Sequence, residues 1–128
     1  MLKLDRTLAF LEDRITYFHN VNDYIKEQRE KGIEVQVEGD FSQKIIDWET
    51  GRKYIHDLAN PLIADKYMKT MFLKTTIKED ILTMMGILRF NLDNHKKSPE
   101  QNAEYLRGTE KFIEYLQGCL IELNNLKS

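Results

Sequence analysis

The chain has 128 residues, 41% hydrophobic and 31% charged, with 19 Lys+Arg against 21 Asp+Glu. That length suits one domain with a core large enough to need no staples. The balanced charge argues against intrinsic disorder and against a general attraction to nucleic acid or an anionic membrane.

The single cysteine, Cys119, excludes an intramolecular disulfide framework and fits a reducing, cytoplasmic setting. No apolar run approaches the roughly 20 residues of a membrane span, and Met1–Arg6 lacks the apolar stretch of a signal peptide.

From the N-terminus, Leu4, Leu8, Leu11, Ile15, Phe18 and Ile25 recur in helical steps. Phe10, Tyr17 and Tyr24 form a second row beside them, so the spacing predicts a first helix touching two neighbours. Gly32, after basic Arg29 and Lys31, should end it. The period then changes. Ile33, Val35 and Val37 alternate with Glu34, Gln36 and Glu38, the pattern of a half-buried strand over 33–38. Such a strand needs a partner, either residues 71–77 or the same segment of a second chain.

A second helix is expected from about Ser42, capped by Asp40 or Ser42, with Ile45, Trp48, Ile55 and Leu58 inward. It should stop before Asn60-Pro61, which in turn can open a third helix as cap and first residue. Thr76 with Glu79 reads as a capping box, so residues 61–95 are either two helices broken near Lys74–Thr76 or one kinked helix. Ser98-Pro99-Glu100-Gln101 marks the start of a last helix, whose stripe is Leu106, Ile113, Leu116, Leu120 and Leu123. Tyr105, Phe112, Cys119 and Leu126 repeat alongside. The expected fold is therefore all-α: a single-domain bundle over 1–128, of four or five helices, with one short β-like segment near 33–38.

Chemistry-bearing constellations are few. His19 and Asp23 share a helix face, but no further ligands at metal-site spacing accompany them, so no metal or cofactor is expected. Cys119 lies on an apolar seam without a basic neighbour, where a thiol is inert. Neither type of glycine-rich phosphate loop occurs. Arg14 is followed by His19, and a second such pair closes the run Arg89-Phe90-Asn91-Leu92-Asp93-Asn94-His95. That run resembles the arginine–histidine signature of HEPN-type ribonucleases, an all-helical family of about this size. The resemblance implies metal-independent cleavage, with His95 as general acid/base beside an arginine that holds the scissile phosphate. It covers residues 89–95 alone, and Phe90 stands where that family commonly has a polar residue. Residues six apart do not share a helix face, so the pair meets only if the helix ends near Asn91–Asn94. Otherwise Arg89 and His95 are solvated cations near a helix C-terminus.

Residues 61–97 carry a local basic excess, in which Lys66, Lys74 and Lys78 lie near Tyr67 and Phe72. They could hold a phosphate-rich ligand, nucleotide or nucleic acid, although a solvated helix face carries similar lysines. The sequence thus points to a non-catalytic binding or regulatory protein, an adaptor or inhibitor of a macromolecular partner. It is expected to dimerise through Ile33, Val35 and Val37, by antiparallel pairing about a two-fold axis. The alternatives are the ribonuclease using Arg89 and His95, and an oligomer that sequesters an anionic ligand at Lys66–Lys78.

Overall fold

The structure is a computed structural model that describes residues 3–35, 41–96 and 103–126. It is an all-α bundle. Helix α1 spans Asp5–Glu30, α2 Ser42–Leu58, α3 Lys66–Phe72, α4 Lys78–His95 and α5 Ala103–Asn124. A π-helical turn over Leu73–Ile77 joins α3 to α4, so residues 66–95 form one continuous rod. No helix among the described residues is long and apolar enough to cross a membrane.

The predicted stripes converge on one core. Leu4, Leu11 and Ile15 from α1 and its cap meet Trp48, Ile55 and Leu58 of α2, Ile81, Met85 and Leu92 of α4, and Ile113, Leu116 and Leu123 of α5. Of the second row on α1, only Phe10 is buried; Tyr17 and Tyr24 face solvent. Helix α1 touches two neighbours as expected, α2 and α5, but the second row is buried only at Phe10.

Helix α1 ends as predicted, and its terminal hydrogen bonds decide the conformation of the next residues. Gly32 has φ 77°, its N–H donates to Arg29 O (3.0 Å), and the Ile33 N–H donates to Gln28 O (2.9 Å). This is a Schellman cap, which takes up the Ile33 donor. The strand expected over 33–38 is accordingly not formed over its described part, 33–35. Ile33 is exposed and Val35 half-buried, while Val37 and Asp40 lie outside the described residues. The other proposed partner, residues 71–77, is helical throughout.

Two helix starts also differ from expectation. Asn60 does not cap a helix at Pro61; its Oδ1 accepts the Leu62 N–H (2.9 Å) in a local turn, and α3 begins only at Lys66. The Thr76–Glu79 capping box is not formed, because the chain is already helical there. Instead the Lys78 N–H reaches back to Leu73 O, and the Thr75 hydroxyl donates to Met71 O (2.7 Å). The predicted break is thus a widened turn, not an interruption. The Ser98–Gln101 start signal lies outside the described residues.

The π-turn also positions the site. Helix α2 packs against α3 and the π-turn, whereas α4 beyond it packs on α5. Ile77, at the end of the turn, is fully buried against Gly51 of α2, which is itself buried. A Cβ at position 51 would lie 3.0 Å from Ile77 Cδ1. Past this contact α4 diverges from α2, and a cleft opens.

Candidate functional site

The cleft is an apolar groove of about 330 Å³ between α1, α2 and α4. Phe18 of α1 forms its floor with Phe41, which precedes α2, and Trp48; the opposite wall is Met84, Ile87 and Leu88 of α4. The Phe18 ring centroid lies 4.3 Å from that of Phe41 and 5.2 Å from that of Trp48. One turn earlier on α1, the Arg14 guanidinium lies over Phe18 (5.0 Å) and Tyr17 (4.7 Å), a cation–π arrangement. Burial holds the Arg14 pKa below its ordinary value, partly opposed by Tyr17 and Asp13. The side chain remains a cation, with donors and no acceptor. Lys44 of α2 pairs with Asp80 Oδ1 of α4, bridging the groove mouth.

Three polar atoms of this lining are buried without a hydrogen-bond partner: Arg14 Nε, Trp48 Nε1 and Asp80 Oδ2. Trp48 is 3% exposed. Leaving such a group unsatisfied costs about 1–3 kcal/mol, and native proteins rarely do so without a reason. All three belong to residues of the groove lining, although the atoms themselves are closed to solvent.

A larger hollow of about 470 Å³, at the start of α1 and the end of α5, has a different character. Its Glu122 carboxylate already accepts backbone N–H groups of α1, and the Tyr115 hydroxyl donates to Arg6 O (2.8 Å). The Arg6 guanidinium lies where a Cβ on Gly118 would project, so this glycine is a seat for the arginine. That region is a satisfied joint between the first and last helices.

The residues singled out from sequence are dispersed. Arg89 and His95 are exposed on α4, which runs unbroken through His95, so the helix end needed near Asn91–Asn94 is not formed. At about 100° per residue they point roughly 120° apart. The His95 ring packs on Tyr105, centroids 4.5 Å apart. Lys66 opens α3, Lys74 sits in the π-turn and Lys78 opens α4, where its ammonium donates to Asn124 Oδ1 (2.7 Å). His19 turns to Glu49 of α2 (3.1 Å) rather than to Asp23. No cluster of three or more metal-ligating side chains occurs among the described residues. Cys119 is fully buried, and its thiol is pushed up to about 11 by that burial, with the nearby Glu122 carboxylate adding to it.

Sequence reasoning missed Arg14 and Asp80 as a pair. The signal was present: each interrupts an apolar row, Leu11–Arg14–Phe18 on α1 and Ile77–Asp80–Met84 from the π-turn into α4. No protein-family model, curated protein or solved structure matches this chain.

Proposed function

We propose that the protein is a non-catalytic binding protein, regulatory in role, whose recognition site is the groove between α1, α2 and α4. One observation carries the reading: an apolar groove of about 330 Å³ is walled by Phe18, Phe41, Trp48, Met84 and Leu88, with Arg14, Lys44 and Asp80 as the charged residues of its lining. An apolar pocket with a few convergent polar groups is the usual form of a small-ligand site. The lining speaks for binding over chemistry. Its carboxylate is tied to Lys44, and Thr83 is the one hydroxyl among the described lining residues, with no histidine or cysteine beside it. The reading keeps the non-catalytic binding class expected from the sequence; Lys66, Lys74 and Lys78, the site of the ligand-sequestering alternative, lie apart from the groove lining.

The test is a titration with the neutral probe 3-phenylpropanol, followed by backbone amide NMR. Saturable shifts centred on Phe18, Trp48, Met84 and Leu88, absent in a Met84→Asp variant of unchanged helicity, support the reading. Shifts spread over the surface, or equal in the variant, would remove it.

A further inference from the structure

We propose that the outer face of the rod 66–95 is a self-association surface, on which two copies of the chain pair antiparallel about a two-fold axis beside Lys78 and Glu79. One row defines the face. Tyr67 and Met71 of α3 and Thr75 of the π-turn continue at helical steps into Glu79, Leu82, Gly86 and Phe90 of α4, and every member is exposed. At about 100° per residue, so long a row would drift by about 140° around an uninterrupted α-helix. The extra residue in the π-turn takes back about 100° of that, so Tyr67 and Phe90 come to face nearly the same way. None of the row belongs to the groove lining, and the inference does not rest on the groove.

The row reads alike from its two ends, and this selects a second copy as the occupant. With the point between Lys78 and Glu79 on the axis, Tyr67 meets the partner's Phe90 and Met71 meets the partner's Gly86. Thr75 meets the partner's Leu82, and each contact occurs twice. Aromatic faces aromatic, and a long flexible side chain faces bare backbone, since nothing in the chain lies within 4 Å of where a Cβ on Gly86 would sit. Charge agrees. Glu79 is the one charged residue of the row, and beside the axis it faces the partner's Lys78, which makes a neutral group of two acids and two ammoniums. Lys78 donates to Asn124 within its own chain and keeps further N–H donors for this contact. An unrelated partner would impose no such symmetry.

The exposed area is of the right size. Tyr67, Met68, Met71, Leu82 and Phe90 are between 45% and 67% exposed, on the order of 500 Å² of side chain in all. Apolar patches of this extent on a single chain are commonly functional. With Thr75, Glu79 and Gly86 between them, pairing two rods buries roughly 1,200 Å², the lower end of the range for a specific interface. That size fits a dimer of micromolar rather than nanomolar strength.

The experiment is sedimentation velocity of the whole chain over a concentration series from micromolar to millimolar, which should show a monomer passing into a dimer. Phe90→Glu alters an exposed position, so it should keep the helical circular dichroism while weakening dimerisation by about tenfold or more. Glu79→Lys gathers four ammoniums at the axis and should weaken it similarly. Adding Lys78→Glu to that variant exchanges the two charges and should restore most of the dimer. Ile33→Glu, exposed but off the row, should change nothing. A parent that stays monomeric throughout the series overturns the proposal. So does a dimer that survives Phe90→Glu, that Ile33→Glu dissolves, or that the double exchange fails to restore.

Discussion

Thr7 and Glu122 join the first helix to the last: the Thr7 N–H and hydroxyl each donate to Glu122 Oε2 at 2.8 Å. The Arg6 N–H adds a bond to Oε1 at 3.1 Å. Leu4, which occupies the cap position of α1, makes no side-chain cap bond, so a carboxylate from α5 takes the place of a local serine or aspartate. It also places negative charge at the positive end of the helix dipole. Glu122→Ala should lower stability by about 1–2 kcal/mol in chemical denaturation and speed hydrogen exchange at Arg6 and Thr7. Glu122→Gln should recover part of the loss, because it still accepts but carries no charge. Unchanged exchange at those two amides would show that the bonds contribute nothing.

The glycines separate into opposite predictions. At Gly51 an added methyl meets Ile77, which is fully buried and has nowhere to move. Overpacking of this kind costs about 1–3 kcal/mol, against about 1 kcal/mol gained in helix propensity. Gly51→Ala should therefore destabilise by about 1 kcal/mol. Gly86 and Gly108 have open space where the methyl would go, so Gly86→Ala and Gly108→Ala should each stabilise by up to about 1 kcal/mol. Thermal midpoints of the three variants decide the matter, and the sign at position 51 is the informative one.

Stability should fall in alkaline solution because of Cys119. Its thiol ionises at about 11 in the folded chain against an ordinary value of 9.0. Above pH 9 the unfolded chain releases this proton first, so the folded state loses ground until the pH passes about 11. Cys119→Ser should flatten that decline in a plot of thermal midpoint against pH. In the parent at neutral pH, a disulfide reagent should label the thiol only as fast as the bundle opens, since the side chain is 0% exposed.

Purified protein should not cleave single-stranded RNA. Arg89 and His95 diverge on one unbroken helix, so no common phosphate can lie between them without local unwinding. A robust cleavage activity lost in both Arg89→Ala and His95→Ala would overturn this and make the chain a metal-independent nuclease.

Much of the fold was legible because helical periodicity reports burial directly. Leu11, Trp48, Ile81 and Leu116 read as inward from spacing alone, and all are buried. Ends and irregularities were less legible, because they depend on competition among local bonds. Asn60 chose an Asx turn over a helix cap, and Ile33 gave its N–H to a Schellman motif in place of a strand ladder. The groove was least legible of all. That Arg14 and Asp80 sit on apolar rows is visible in the chain, but that their polar atoms lack partners is a property of how three helices meet. Trp48 was correctly read as core, yet its unsatisfied N–H appears only once Phe18 and its neighbours surround it.

The π-turn at Leu73–Ile77 gives the rod a removable residue. Elsewhere in a helix, losing one position rotates everything beyond it by about 100° and turns the buried face outward. Here the turn already holds one residue more than an α-helical turn, so deleting Thr75 closes it to ordinary pitch and leaves Lys66–Phe72 and Lys78–His95 on their present faces. Related chains that differ by a single residue in length should therefore carry the difference between positions 73 and 77. Where the shorter form occurs, the faces that α3 and α4 turn to the core would be kept, at the cost of one residue of rise.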